Sequence, residues 1–125
     1  MEQRQIQGVV NESMEAVVIL TLVNGAEIPC LVDTGFDGAV VLPRAFVDEN
    51  ELPSEGGEWF RVVGRKKPVK AKKVTVGVRW LGQEFDVSGV VNEEGLALIG
   101  TEMLVDCRLT VDYVTGIVLI EQTNF

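Results

Sequence analysis

Asp33 is the residue of this chain best placed to do chemistry. It stands in Leu31-Val32-Asp33-Thr34-Gly35-Phe36-Asp37-Gly38-Ala39-Val40-Val41-Leu42-Pro43, where a tight turn carries an acidic side chain between two apolar runs. Apolar residues before the turn and a β-rich run after it would hold the carboxylate at a strand end on buried support. The chain has no histidine, which excludes the Ser-His and Cys-His nucleophile pairs. Carboxylates are left as the acid–base groups for work near neutral or acidic pH. An ordinary Asx-type turn joining two strands is the alternative reading of the same residues.

With these flanks, Asp33-Thr34-Gly35 resembles the active-site loop of the retropepsin-like, single-domain aspartic proteases, the small bacterial and archaeal members most closely. A second anchor, Leu96-Ala97-Leu98-Ile99-Gly100-Thr101-Glu102-Met103-Leu104, is similar to the apolar-apolar-Gly segment that precedes a short helix in that family. The resemblance implies one domain over residues 1–125, mainly β, built as a small closed acid-protease barrel with one or two short helices. It also implies an endopeptidase acting on a peptide or protein substrate through a water activated by paired Asp33 carboxylates, without cofactor or metal.

Roles follow from the resemblance residue by residue. Asp33 would be catalytic, and the Thr34 hydroxyl would bond the opposing active-site loop, unless it is simply a turn-stabilising threonine. Gly35, lacking a Cβ, would let the substrate backbone approach closely. Ile99 and Gly100 would pack beneath the loop. Asp37 would bind peptide main chain or serve as a turn residue, and Val63, Gly64 and Arg65 would meet substrate from a flap hairpin spanning Trp59 to Val78.

Such chemistry needs two carboxylates, yet the sequence holds one Asp-Thr/Ser-Gly triplet. Asp86-Val87-Ser88-Gly89 is the nearest imitation, with Val in the middle and an extra residue before the Gly. The second copy would come from a second chain, in a symmetric homodimer. By analogy with viral relatives, Ile120 to Phe125 would join a sheet between subunits. Two features depart from the viral pattern: Thr101-Glu102 stands where those enzymes carry an Arg that braces the loop, and the flap lacks a glycine-rich tip. They favour the alternative, a non-cleaving dimerisation or peptide-binding module.

Composition agrees with a globular domain. Hydrophobic residues make up 46% of 125, enough for a modest core without staples. No apolar run approaches the roughly 20 residues of a membrane span, and the start lacks the apolar core of a signal peptide, so the expectation is a cytoplasmic protein away from membranes. Cys30 and Cys107 read as small core residues, with neither C-x-x-C spacing nor histidine to suggest a metal. The net charge of −8 argues against general nucleic-acid binding, although eight of the eleven basic residues fall between Arg61 and Arg79. That basic element would steer anionic peptides towards a cleft or form the solvated face of a hairpin.

The elements that must position Asp33 are mostly strands. Ala16 to Val32 reads as two strands joined by a type I′ turn at Asn24-Gly25, the second delivering Asp33. Val40 to Leu42 continues as strand, and Pro43 opens a short helix over Arg44 to Asn50. Ser54 to Gly57 reads as loop. Lys73 to Trp80 and Glu84 to Val91 form a hairpin around Leu81-Gly82, Leu96 to Ile99 a buried strand, and Thr101 to Val105 a helical turn capped by Gly100 or Thr101. Arg108 to Tyr113 and Gly116 to Glu121 close the chain as a last hairpin.

Overall fold

The computed structural model describes residues 4–60 and 69–123. Ten strands and one short α-helix follow in the order β1 (Gln5–Val10), β2 (Ala16–Leu22), β3 (Glu27–Val32), β4 (Val40–Pro43), α1 (Arg44–Glu49), β5 (Ser54–Phe60), β6 (Val69–Trp80), β7 (Gln83–Asn92), β8 (Leu98–Ile99), a 3-10 turn at Thr101–Leu104, β9 (Cys107–Asp112) and β10 (Ile117–Gln122). All strands join one sheet in the order β5-β6-β7-β4-β8-β3-β2-β1-β10-β9. A further pairing of Thr21 with Arg79 and Leu22 with Val78 brings β2 against β6 and curls the sheet back on itself. The mainly β architecture is as expected. β5 and β9 remain as ends of the sheet, which distinguishes it from a closed barrel.

Alternation along the strands builds the core. Val18, Leu20 and Leu22 of β2 point inward, as do Val74, Val76, Val78 and Trp80 of β6, the period-two pattern of a half-buried strand. Val40 and Leu42, Ile99, Val118 and Ile120 complete this interior. At about 25 cal/mol per Å2, each such buried aliphatic side chain contributes on the order of 2 kcal/mol of transfer free energy.

Turn chemistry sets the hairpins. Leu81 and Gly82 both have positive φ, 51° and 80°, as a two-residue type I′ connection requires. The Asn24-Gly25 turn differs from expectation. Gly25 alone is left-handed, at φ 92°, the Gly25 N–H donates to the Leu22 carbonyl, and the Leu22 N–H donates to the Ala26 carbonyl. This is a three-residue loop in which a type I turn is closed by a left-handed glycine; the Asn24 side chain accepts from the Ala26 N–H at 2.9 Å.

Other expectations are corrected by the register. Pro43 caps α1 instead of lying in its first turn. Ser54 to Gly57 is strand, not loop: β5 pairs with β6 from Ser54/Val74 to Phe60/Val69, with an irregularity between Ser54 and Gly56 that skips Glu55 and sets Gly56 at φ 97°. Glycine-rich sequence lowers strand propensity, but pairing to a long neighbour overrides it. β1 was not anticipated, since Gln and Gly dilute its apolar signal. Gly8 is required there because a Cβ would stand 2.0 Å from the Val17 carbonyl oxygen of β2. β10 lies between β1 and β9, so the backbone of Ile120 to Gln122 is committed within the subunit; of the stretch expected to join a sheet between subunits, Asn124 and Phe125 lie outside the described residues.

Candidate active site

β3 brings Asp33 to a crossing of three strands. β8 runs parallel to β3 through Leu31/Leu98 and Val32/Ile99, and antiparallel to β4 through Val40/Ile99 and Val41/Leu98. The connection from β3 to β4 therefore passes over the end of β8. Pro29 is tolerated in β3 because it lies before the segment that pairs with β8 and faces Ile19 of β2, leaving its missing N–H without consequence for the β8 side.

The loop is held by its main chain. The Asp33 N–H donates to the Ile99 carbonyl at 2.9 Å, and the Phe36 N–H to the Asp33 carbonyl at 3.2 Å. The Gly35 N–H donates to Asp33 Oδ1 at 2.9 Å, which orients the carboxylate. Asp33 is partly buried, whereas Thr34, Gly35 and Asp37 are exposed. A Cβ on Gly35 would lie 3.2 Å from Asp33 Oδ1, so glycine keeps the approach to the carboxylate open.

Ile99 and Gly100 lie at the end of β8, against the loop. Ile99 is fully buried, and the Gly100 N–H donates to the Ala39 carbonyl at 2.8 Å. The next two residues continue the clamp: Thr101 N–H to the Phe36 carbonyl at 2.9 Å and Glu102 N–H to the Gly38 carbonyl at 3.2 Å. Thr101 Oγ1 adds a contact to the same Phe36 oxygen at 3.4 Å. Main-chain bonds from Thr101 and Glu102 thus hold the loop at the place where an Arg side chain was absent.

Phe36 and Gly38 belong to the site and were missed as contributors. The Phe36 ring covers both glycines: a Cβ on Gly38 would stand 2.5 Å from Phe36 Cζ, and one on Gly100 2.5 Å from Phe36 Cδ2. The two-residue spacing of Phe36 and Gly38 was the available signal, since a glycine beside a large ring marks close packing. Three residues before Asp33, Cys30 is buried and its thiol is pushed up to about 12 by that burial, an inert core residue as expected.

Asp33 and Thr34 open onto a groove of about 490 Å3, walled by Met14 of the β1–β2 turn, Leu31, Leu98, and Leu109 and Val111 of β9. A hollow of about 510 Å3 beside Trp80 and Gly82 lies elsewhere; its Arg79 and Glu84 are engaged with each other at 2.7 Å, which leaves it without a group set for proton transfer. Val63, Gly64 and Arg65 lie outside the described residues. The hairpin leading to them is in register from Gly56/Lys73 to Phe60/Val69. Among the described residues no three His, Cys, Asp or Glu side chains are grouped to hold a metal, and no helix is long and apolar enough to cross a membrane.

No family model matches the sequence, and no curated protein matches it either. Solved structures do. A retropepsin-like aspartic protease from Rickettsia conorii superposes with a TM-score of 0.65 at 18% identity, covering 93% of this chain and 89% of that one. The EIAV protease, solved with the inhibitor HBY-793, superposes at 0.55 with 20% identity over 77% of this chain and 90% of that chain. The foamy viral protease-reverse transcriptase matches 82% of this chain with 12% of its own length, at 0.51 and 13% identity. With the strand crossing beneath Asp33 and these superpositions together, the fold of this chain is that of the retropepsin-like aspartic proteases.

Proposed function

We propose that this chain is one subunit of a homodimeric aspartic endopeptidase, with Asp33 of each subunit forming the catalytic pair. One observation carries the reading: Asp33 sits at the end of β3 on a loop pinned to Ile99, with its Oδ1 turned by the Gly35 N–H and its neighbours Thr34 and Gly35 exposed. A carboxylate held in this way at an open surface supports a role in chemistry over one in packing.

As aspartic proteases do generally, two such carboxylates brought within a hydrogen bond of each other would retain a single proton, because both cannot ionise cheaply at that distance. The ionised partner takes a proton from a water lying between them while the protonated one polarises the peptide carbonyl. Water oxygen bonds to the carbonyl carbon, giving a gem-diol. Proton transfer to the amide nitrogen then breaks the C–N bond and returns the pair to its starting state, with no covalent intermediate. Asp37, exposed four positions along the same loop, would receive the peptide main chain, and the β5–β6 hairpin would cover it.

The test is cleavage of a diverse peptide mixture, read by mass spectrometry from about pH 4 to pH 8, for wild type and Asp33→Asn. Asn keeps an oxygen to accept from the Gly35 N–H but cannot share a proton, so cleavage should fall by about 10^3-fold or more with the fold intact. Binding of peptides without turnover by wild type at every pH would instead support a non-cleaving peptide-binding module.

A further inference from the structure

The antiparallel ladder of β2 and β3 ends at Val17/Leu31. Past that pair the strands fork: β2 keeps to β1 through Val17/Val9 and Ala16/Val10, and β3 keeps to β8 through Leu31/Leu98 and Val32/Ile99. The same register carried two residues further sets Glu15 opposite Asp33, on the face of the ladder that carries Val17 and Leu31. The groove of about 490 Å3 opens at this fork, and Glu15 and Asp33 both line it. Asp33 is the candidate for chemistry; Glu15 is a second carboxylate to which that chemistry assigns nothing.

Asn11 holds Glu15 in place. The Asn11 N–H donates to the Glu15 carbonyl at 2.9 Å, the Glu15 N–H donates to Asn11 Oδ1 at 2.9 Å, and Asn11 Nδ2 donates to Glu15 Oε1 at 3.2 Å. The Met14 N–H adds a bond to the Asn11 carbonyl at 3.0 Å, so main-chain groups and the Asn11 amide close the β1–β2 turn without needing a charge at position 15. Glu15 is exposed, its side-chain partner is neutral, and among the described residues no lysine or arginine pairs with it. None lines the groove either.

The rest of the lining is mostly aliphatic. Leu31, Leu98, Leu109 and Val111 are half-buried along the groove, and Tyr113 adds a ring of the kind that attracts cations. A long cationic side chain lays its stem on apolar surface and keeps its head at the water, which is what aliphatic walls with an exposed carboxylate accept. We propose that Glu15 determines specificity: the groove takes a lysine or arginine side chain of the peptide, its stem against Leu31 and Leu98 and its head at the Glu15 carboxylate. An apolar side chain lodged there would strip water from Glu15 and give it no partner, which is unfavourable for a charge, so the site selects against the uncharged isostere as well as for the cation. The net charge of −8 favours the approach of basic peptides in the same sense. Because Asp33 lines the same groove, the residue held in it flanks the bond that is cut. This assignment rests on the peptidase reading and adds a substrate class to it, peptides with a basic residue beside the scissile bond.

Two peptides that differ only in lysine or norleucine beside the cleaved bond, digested in one mixture, give the ratio of their kcat/KM values by mass spectrometry. Norleucine keeps the aliphatic stem and lacks the charge. Wild type should favour lysine by about fivefold or more. Glu15→Gln, which keeps an acceptor for Asn11 Nδ2, should remove most of that preference, and Glu15→Lys should favour a glutamate peptide over the lysine one. Added salt should erode the preference of wild type and leave the ratio of Glu15→Gln where it is, a response that a merely structural role of Glu15 would not give. Equal cleavage of the two peptides by wild type, or a lysine preference that survives Glu15→Gln, overturns the assignment and leaves the peptidase reading standing. If wild type cleaves neither, the peptidase reading falls, and binding of the same two peptides, followed through the amide NMR signals of Leu31 and Leu98, decides the groove by itself. Lysine-selective binding that Glu15→Gln abolishes supports the groove in a non-cleaving module; unselective binding or none overturns it.

Discussion

Gly100 lies so close to Gly38 that a Cβ built on it would stand 2.2 Å from the Gly38 carbonyl oxygen and 2.7 Å from that of Phe36. Its own φ of −101° is ordinary, so the constraint is space and not backbone conformation. The loop can drop onto the end of β8, and Asp33 can reach the Ile99 carbonyl, because position 100 has no side chain.

Gly100→Ala should therefore push the Asp33 loop off the end of β8. Overpacking of this kind costs about 1–3 kcal/mol, visible as a lower urea midpoint at unchanged m-value. Peptide cleavage should fall further than stability does, since the displaced group is the anchor of Asp33. A variant with wild-type midpoint and wild-type cleavage would show that the loop is not held in this way.

Trp80 is tied to the segment that follows Gly100. Its indole Nε1 donates to the Met103 carbonyl at 3.0 Å in the interior, tying the end of β6 to the 3-10 turn that follows Gly100. Trp80→Phe keeps most of the apolar volume and removes the donor, leaving a buried carbonyl unsatisfied at about 1–3 kcal/mol. Thermal unfolding of the variant checks this. A melting temperature equal to wild type would mean that the hydrogen bond contributes nothing net.

The particular misreadings show what sequence does and does not carry. Asp33, Gly35, Ile99 and Gly100 were legible because each is fixed by local needs, an acid on a turn, a missing Cβ or a buried strand beside it. Leu81-Gly82 was legible for the same reason. β1 and the start of β5 were hidden, since Gly8, Gly56 and Gly57 weaken strand signals and their pairing comes from neighbours distant in sequence. Phe36 looked like a loop residue because its partners are Gly38 and Gly100, one of them far along the chain. The position of β10 between β1 and β9 is a property of topology that no residue in it announces.

The two thiols should separate cleanly by reactivity. Cys30 is buried, with its thiol pushed up to about 12, and Cys107 is partly exposed, raised first by partial burial and then by the neighbouring Asp106 carboxylate. Thiolate is the reactive form, so a disulfide reagent at pH 8 should label one thiol slowly in the native protein and both rapidly in denaturant. Peptide mapping should place the native label at Cys107. Rapid native labelling of Cys30 would mean that β3 opens beside Asp33 far more readily than its packing allows.

Glu55 gives the β5–β6 hairpin a sensitivity to acid. Its carboxylate accepts from Thr75 Oγ1 of β6 and Ser88 Oγ of β7, both at 2.8 Å, and those two residues are themselves paired across the strands. The Thr75 bond first, and then the Ser88 bond, hold the Glu55 carboxyl below its ordinary value of 4.5, with Lys73 on β6 adding attraction. A carboxyl lowered in the folded state stabilises it above the ordinary value, and that contribution is lost as pH falls through the lowered one. Hydrogen exchange at residues 54–56 and 73–75, corrected for intrinsic rates, should therefore lose protection below about pH 4.5 in wild type, ahead of β2 and β3. In Glu55→Ala protection at the same amides should be low at pH 7 already and change little on acidification. If wild type and variant lose protection together over the same pH range, the Glu55 carboxylate is not what fastens the base of the hairpin. If they separate as expected, and if the proposed peptidase acts beneath this hairpin, the acid limb of its cleavage profile should move with substitution of Glu55.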